Sequence, residues 1–240
     1  MILEVDIGNT RIKWRCLDRN RVVGEGVLNQ ELQEGWVSLI EREYLPKLVR
    51  VACVGKQEQM DWIAGLATRW GAELFMAKTA PFAHGVRCGY DQPTTMGVDR
   101  WLAVIAAYHQ LRQACVVVDA GSAITVDLID SKGLHLGGYI VPGFSMMHQS
   151  LFQGTSKVKT VVGKTASTSP GSSTQQAVSH GCLLMTKALV ESAVKELEVL
   201  NTSVKTVVTG GDAHLLVGVL GGEVELIPDL VLDGLEISSL

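Results

Sequence analysis

The first half of the chain alternates short apolar runs with two longer stretches of helical periodicity. Apolar runs bounded by turn residues predict strands. Within 57–70, Trp62, Ile63, Leu66 and Trp70 recur at helical spacing and predict one buried helix face. The predicted order is strands at 2–7, 11–17 and 21–28, a helix at 30–44, a strand at 47–54, a helix at 57–70 and a strand at 73–76.

The second half repeats this pattern after an irregular segment. Residues 77–96 carry two prolines and two glycines, and this shift in composition predicts a boundary between domains at 1–95 and 96–240. The duplicated unit predicts two similar α/β domains that face one cleft. The predicted elements are a helix at 98–113, strands at 115–119, 122–130 and 134–141, a helix from 142 to 152, a loop at 153–173, a helix at 175–198, a strand at 204–208, a helix at 212–220, a strand at 223–227 and a helix at 229–236.

Two strands end in an acidic turn of small residues, one in each half. Asp119 follows three valines and precedes Gly121 and Ser122, and Asp6 precedes Gly8-Asn9-Thr10 in the same way. Glycine leaves backbone N–H groups open to a phosphate, and carboxylates can hold Mg²⁺. A single copy is more simply an ordinary turn. Two copies, almost half the chain length apart, favour a pair of hairpins that grip a nucleotide triphosphate, with Lys13 reaching back to a phosphate.

A third polar feature opens the predicted helix at 98–113. Asp99 and Arg100 follow Gly97 in its first turn. Asp99 suits the helix dipole there, whereas a cation faces the positive end. This local conflict at Arg100 favours a functional role over a structural one. Arg100 is suited to bind a substrate carboxylate, and Asp99 could accept a proton from a hydroxyl.

Three further features are less specific. The glycine-rich stretch 137–143 is either a plain strand followed by a helix start or a backbone held open for a ligand or partner. The turn at 209–212 could contact a nucleotide, but it is short and unspecific. Thr174 is predicted as the N-cap of the long helix.

Composition and charge disfavour some classes of function and some cellular locations. The formal net charge is −4, and no run of Lys or Arg forms a basic stripe, which disfavours a nucleic-acid partner. Five cysteines are scattered without a C-x-x-C pair and are interpreted as free thiols, and the six histidines show no metal-ligand spacing. Glu4 and Asp6 interrupt any signal peptide, and no uncharged stretch reaches the roughly 18 residues of a membrane span. We therefore expect a soluble, cytoplasmic protein without a membrane partner.

Five motifs together resemble the type III pantothenate kinases, a family of the acetate and sugar kinase/Hsp70/actin superfamily. They are DIGNTRIKW at 6–14, GVDR at 97–100, DAGSAITVD at 119–127, GGYIVPG at 137–143 and TQQAVSHG at 174–181. The resemblance implies duplicated ribonuclease H-like (actin-like ATPase) domains, each a mixed β-sheet flanked by helices. It also implies a homodimer with its dimerisation surface in the C-terminal half, ATP as phosphoryl donor, Mg²⁺ and a monovalent cation, K⁺ or NH₄⁺.

The same resemblance implies an activity, the ATP-dependent phosphorylation of pantothenate to 4'-phosphopantothenate in the first step of coenzyme A biosynthesis. It implies that Asp99 is the general base, that Asp6 organises the Mg²⁺ shell, that Arg100 binds the pantothenate carboxylate and that Asp119 holds the monovalent cation. Thr174 would reach pantothenate from the neighbouring subunit. The implied ATP-binding residues are Asp6, Ile7, Gly8, Asn9, Thr10, Arg11, Ile12, Lys13 and Ser122, and the implied pantothenate-binding residues are Tyr90, Gly97, Val98, Asp99, Arg100 and Thr174.

The chain departs from the family pattern in two places. Ser122 stands where the family usually has threonine, which keeps the hydroxyl, and residues 155–173 match the family poorly. Two other functions remain open from the sequence. One is a kinase of another small metabolite in the same superfamily, and the other is a nucleotide-binding regulatory or accessory protein without turnover.

Overall fold

A computed structural model describes residues 1–29, 33–55, 57–153, 166–200 and 203–240 of the chain. The strands of these residues are β1 (Ile2–Ile7), β2 (Arg11–Asp18), β3 (Arg21–Asn29), β4 (Leu48–Cys53), β5 (Glu73–Met76), β6 (Phe82–Ala83), β7 (Val86–Arg87), β8 (Cys115–Ala120), β9 (Ala123–Ile129), β10 (His135–Pro142), β11 (Lys205–Thr209) and β12 (Val224–Leu226). The α-helices are α1 (Gln33–Leu39), α2 (Gln57–Trp70), α3 (Val98–Leu111), α4 (Phe144–Gln153), α5 (Thr174–Glu198), α6 (Ala213–Val217) and α7 (Leu230–Ser238). A π-helical turn (Ile40–Tyr44) continues α1, and a 3₁₀ turn (Pro93–Thr95) precedes α3.

The two main sheets have the same strand order and the same pattern of directions. The first runs β3-β2-β1-β4-β5 and the second β10-β9-β8-β11-β12. In each sheet the three strands that come first in sequence are antiparallel and the other two lie parallel to the central one. The internal repeat predicted from the sequence is therefore present at the level of topology.

The described residues form two compact units. The first contains Met1–Gly85, Tyr90–Ala106 and Asp229–Leu240, and the second contains Val86–Gly89 and Ala107–Pro228. The division differs from the boundary predicted at 95/96, because the first part of α3 and all of α7 belong to the first unit. Helix α7 lies against β1 and β4. A change in composition marks a single position along the sequence, so it could not predict that α7 packs on the first unit.

The core of the first unit lies on one face of its sheet. Leu3, Val5 and Ile7 alternate along β1 and are fully buried there, as the period of a strand requires. The predicted buried face of α2 is confirmed, since Ile63, Leu66 and Trp70 are buried and Trp62 packs against them. Trp36 stacks at an angle on Trp14, Trp62 and Trp70.

The opposite face of the first sheet carries a buried ionic cluster under α7. Glu4 is fully buried and accepts hydrogen bonds from Arg15 Nε at 2.5 Å and from Arg50 Nη1 at 2.9 Å. Arg15 also donates to Asp233 at 2.7 Å and to Glu236 at 3.3 Å, both on α7. The cluster joins β1, β2, β4 and α7 by charge rather than by apolar contact.

Most element boundaries agree with the sequence prediction, and a few differ for local reasons. The helix predicted at 30–44 is α1 followed by the π-helical turn, with residues 30–32 outside the described part. The cap of α5 is Ser173, whose hydroxyl accepts from the Gln176 N–H at 3.2 Å, so the N-cap prediction for Thr174 was wrong by one residue. Of the predicted loop at 153–173, residues 154–165 lie outside the described residues.

All five cysteines are free thiols, as predicted. Burial raises the pKa of Cys16 and of Cys115 to about 12. Their thiolates are therefore scarce at neutral pH, which makes both side chains packing residues rather than nucleophiles. Within the described parts of the chain, no helix has the length and hydropathy needed to cross a bilayer.

Candidate active site

The first acidic turn lies at the carboxyl end of β1. Asp6 is the fifth of the six residues of β1 and stands directly opposite Lys13 on β2. The turn is closed by the Gly8 N–H, which donates to the Arg11 carbonyl at 3.0 Å. Asn9 and Thr10 at its tip are exposed. The tip therefore presents backbone and short polar side chains to solvent beside a carboxylate and an ammonium.

Lys13 has a partner that the sequence did not suggest. Its Nζ lies 2.5 Å from Asp229 Oδ1, and each side chain remains about one-third exposed, at 34% and 33%. Asp229 directly precedes α7. The lysine predicted to bind phosphate is therefore held by a carboxylate from the far end of the chain.

The second acidic turn repeats the first with one residue fewer. Asp119 is the fifth of the six residues of β8, opposite Thr125 on β9. The Gly121 N–H donates to the Ala123 carbonyl at 3.0 Å, and Ser122 at the tip is exposed. Asp6 and Asp119 thus occupy the same position in their respective sheets.

Two glycines that the sequence left ambiguous pack against this second turn. Gly143 donates its N–H to the Ser122 carbonyl at 3.1 Å, and a side chain at Gly143 would collide with the carbonyl oxygens of Gly121 and Ser122. Gly210 has φ of +96°, and a side chain there would collide with Asp119 and the Ala120 carbonyl. The stretches 137–143 and 209–212 therefore close around the turn, and only glycine fits at these two points.

The start of α3 carries the remaining predicted residues in a fixed arrangement. Asp99 Oδ1 accepts a hydrogen bond from the Arg100 N–H at 2.8 Å. A methyl group added at Gly97 would come within 2.6 Å of the same oxygen. Gly97 thus leaves room for a carboxylate whose orientation is set by the backbone of the first helical turn.

Arg100 is buried beside Tyr90. It is only 6% exposed, its Nη1 donates to the Tyr90 hydroxyl at 2.6 Å, and its guanidinium lies 5.5 Å from the centre of the tyrosine ring. Tyr90 therefore orients the guanidinium by a hydrogen bond and by cation–π contact. Both residues were predicted to bind the same substrate, and the structure brings them together.

Contacts at the ends of β1 and β4 connect the first turn with the start of α3. The Val54 N–H donates to the Ile7 carbonyl at 3.2 Å. Val54 Cγ1 lies 3.9 Å from the position that a Cβ on Gly97 would occupy. Burial raises the pKa of Cys53, and the nearby charge of Asp6 raises it further. The end of β1 and the start of α3 thus both lie against Val54, at the edge of the first sheet where parallel strands end, the usual place for ligands in such sheets.

Thr174 does not share this arrangement. It is the exposed first residue of α5 in the second unit. The segment before it is tied to the helix, since the Ser172 hydroxyl donates to Gln176 at 2.7 Å and His180 hydrogen-bonds the Ser169 carbonyl at 2.7 Å.

The carboxylate of Asp6 is placed in a way that suits a metal ion shared with a substrate. Within the described residues, no three His, Cys, Asp or Glu side chains form a group that could hold a metal. Mg²⁺ in phosphoryl-transfer enzymes is usually bound by one or two carboxylates together with substrate phosphates. A single carboxylate beside an open turn, as at Asp6, fits that mode of binding.

Comparison with known proteins decides the family. The model of the family described as type III pantothenate kinase matches residues 2–196. A type III pantothenate kinase of Pseudomonas aeruginosa is 36% identical over 245 residues, covering 99% of this chain and 98% of the relative. The chain belongs to the type III pantothenate kinase family. All residues singled out from the motifs lie within the matched range, whereas Asp229 lies beyond it.

Solved structures agree with the fold expected for a member of this family. A Campylobacter jejuni protein described as a Baf family transcriptional activator has a TM-score of 0.63 at 20% identity and covers 98% of this chain and 95% of its own. A Sinorhizobium meliloti protein described as a 2-dehydro-3-deoxygalactonokinase has a TM-score of 0.61 at 13% identity and covers 100% and 98%. Together with the two equivalent sheets, these likenesses confirm the predicted class of duplicated ribonuclease H-like domains.

Proposed function

We propose that this chain transfers the γ-phosphoryl group of ATP to the primary hydroxyl of pantothenate, giving 4'-phosphopantothenate in the first step of coenzyme A biosynthesis. Membership of the type III pantothenate kinase family supports the activity. The observation in the structure that supports it most is that Val54 lies against both the end of β1, which carries Asp6, and Gly97, which leaves room for the Asp99 carboxylate. Phosphoryl transfer needs an aligned hydroxyl and neutralised phosphate charge more than it needs covalent chemistry.

The triphosphate is proposed to bind at the first turn. The backbone of 7–12, with the hydroxyl of Thr10 and the amide of Asn9, would face phosphate oxygens, and Lys13 would offset their charge. Mg²⁺, when bound, neutralises the β- and γ-phosphates, and Asp6 is the residue proposed to hold it. On the second turn, the exposed Ser122 hydroxyl is proposed to contact ATP.

Asp99 is proposed as the general base. Its carboxylate would accept the proton of the attacking hydroxyl as the bond from that oxygen to the γ-phosphorus forms, the bond from the γ-phosphorus to the bridging oxygen breaks and ADP leaves. The Arg100 N–H donates to Oδ1 and so orients the carboxylate. Holding one oxygen on the backbone fixes the direction in which the other points.

Arg100 and Tyr90 are proposed to bind the carboxylate end of pantothenate, with Gly97 and Val98 lining the same site. A guanidinium binds a carboxylate through two parallel hydrogen bonds. The hydrogen bond to Tyr90 fixes the plane of the Arg100 guanidinium.

We expect Arg100→Lys to raise the KM for pantothenate by about 10- to 100-fold, the worth of a lost charge-assisted hydrogen bond. Lysine keeps the charge but loses the planar pair of donors and the stacking on Tyr90.

Tyr90→Phe should raise the same KM by about fivefold, because it removes only one orienting hydrogen bond. The KM for ATP should stay unchanged in both, and Arg21→Lys, at an exposed arginine of β3, serves as the control. An equal rise in both KM values for Arg100→Lys would contradict the assignment.

The monovalent cation is proposed to bind at Asp119. Asp119 Oδ1 and the Ala120 carbonyl oxygen lie together, both within 2.5 Å of the position that a Cβ on Gly210 would occupy, and hard cations prefer such oxygen ligands. In a coupled assay, K⁺ or NH₄⁺ should stimulate the wild-type enzyme relative to Na⁺, and Asp119→Asn should remove the difference. Stimulation that survives in Asp119→Asn would place the cation elsewhere.

The second unit is proposed to form the homodimer. Tyr139 and Ile140 on the edge strand β10 are 41% and 61% exposed, and Leu184 and Met185 on α5 are 48% and 56% exposed. Such exposed apolar side chains are typical of association surfaces, and a second copy of this chain would cover them. Thr174, on the same helix, is proposed to reach pantothenate bound by the partner.

The expected solution mass is that of two chains, measured by light scattering after gel filtration. Ile140→Asp should shift the protein toward the monomer, because association would then bury a carboxylate without a partner. A monomeric wild-type protein, or an Ile140→Asp variant that remains fully dimeric, would contradict this surface.

A substrate panel tests the activity itself. ADP release with Mg²⁺ and K⁺ should be faster with pantothenate than with acetate, glucose or glycerol. Preference for one of the latter would favour a kinase of another metabolite. Binding of ATP without any ADP release would favour a regulatory protein.

A further inference from the structure

Asp229 occupies a position where aspartate normally serves its own helix. It is the residue before α7, the N-cap position, where a carboxylate usually accepts a backbone N–H of the first turn. Its side chain makes no such capping bond and instead contacts Lys13 Nζ at 2.5 Å. Asp229 thus contacts a distant lysine and leaves its own helix without a side-chain cap. Such a local conflict is of the kind found at functional sites.

Other contacts also attach α7 to the sheet. Asp233 and Glu236, on the same helix, already bind the buried Arg15. The Lys13–Asp229 pair is partly exposed, and pairs of that kind contribute about 0–1 kcal/mol to stability. The effect of the pair that remains to be considered is on the position of the Lys13 ammonium group.

Lysine needs such support to act at a defined point. Its charge sits on a flexible four-carbon stem, and the ammonium has three donors. The contact with Asp229 fixes the end of the stem, and an ammonium group with three donors can bind a carboxylate and a phosphate oxygen together. Asp6 stands opposite Lys13 on β1, at the turn proposed to hold the triphosphate.

We propose that Asp229 is a positioning residue for phosphoryl transfer, which holds the ammonium of Lys13 in place for the triphosphate. This proposal rests on the proposed function of the first turn and adds a residue from outside the matched family range. Asp229 does not itself contact substrate; it acts through Lys13.

A double-mutant cycle tests it. Asp229→Asn and Asp229→Ser should each lower kcat/KM for ATP by about tenfold, comparable to the loss of a supporting residue behind a ligand. The KM for pantothenate should change less than about twofold. In a Lys13→Met background, Asp229→Asn should have no further effect, because residues that act through one another are not additive. Glu236→Gln, which removes another α7 carboxylate, is the matched control and should behave as wild type.

Calorimetry can measure how the same four proteins bind a non-hydrolysable ATP analogue with Mg²⁺. This readout does not depend on turnover. We expect the same non-additivity in the binding free energies. Serine is a good N-cap, so wild-type kinetics in Asp229→Ser would mean that Asp229 only caps α7 and would overturn the proposal. Equal losses from Asp229→Asn with and without Lys13 would overturn it as well. A wild-type protein that binds the analogue but does not phosphorylate pantothenate would refute the proposed function, and the binding cycle would still decide the role of Asp229.

Discussion

Asp99→Asn is expected to lower kcat for pantothenate phosphorylation by about 10²- to 10⁴-fold, the usual contribution of a positioned general base. Asparagine has the same size and can still accept the hydrogen bond that the Arg100 N–H donates to Oδ1. It cannot take up the proton of the hydroxyl. Steady-state kinetics at saturating ATP and pantothenate measure the effect directly.

The loss should be confined to the chemical step. The melting temperature and the affinity for a non-hydrolysable ATP analogue should match those of the wild type. Asp61→Asn, at an exposed aspartate of α2, is the control and should keep wild-type kcat. An Asp99→Asn enzyme that turns over at the wild-type rate would rule out Asp99 as the base.

Glu4→Gln is expected to lower the free energy of unfolding by about 3–5 kcal/mol, the cost of leaving a buried charge without its partner. Glu4 is fully buried between Arg15 and Arg50. Burial raises the pKa of Glu4, and the two guanidinium groups oppose that rise. Arg15 keeps Asp233 and Glu236 after the substitution, whereas Glu4 is the one carboxylate that Arg50 contacts in the described residues.

Urea titration measures this loss. Arg42→Gln, which breaks the exposed pair with Glu43, is the control and should cost less than about 1 kcal/mol. If Glu4→Gln does not fold, a Glu4→Gln/Arg50→Met variant should recover folded protein, because the unpaired charge is then removed too. An unfolding midpoint for Glu4→Gln equal to that of the wild type would show that the ionic cluster does not stabilise the sheet.

The repeated topology could be predicted because it depends on local patterns. Apolar runs bounded by turn residues predicted β1 and β5 with the bounds that the structure has, and helical spacing predicted α2 in the same way. The predicted strands at 11–17 and 21–28 leave room only for a short hairpin turn, and in it Arg19 and Asn20 have the positive φ that a tight hairpin requires. The resemblance pointed to Tyr90 and Arg100 as partners at one site, and they are in contact.

Contacts between distant parts of the chain could not be predicted. Glu4 interrupts an apolar strand, and nothing nearby in sequence indicates that α7 will cover it. The Lys13–Asp229 pair joins residues near opposite ends of the chain. The packing of Gly143 and Gly210 on the second turn leaves no periodic pattern in the sequence. The roles of 137–143 and 209–212 therefore depend on three-dimensional contacts that the sequence does not indicate.

The most direct test of the account is the identity of the product. Purified protein incubated with ATP, Mg²⁺, K⁺ and pantothenate should yield one new phosphomonoester, which ³¹P and ¹H NMR place on the primary hydroxyl of pantothenate. A reaction that leaves pantothenate unmodified, or that phosphorylates its secondary hydroxyl, would contradict the account in which the Asp6 turn and Asp99 serve one transfer.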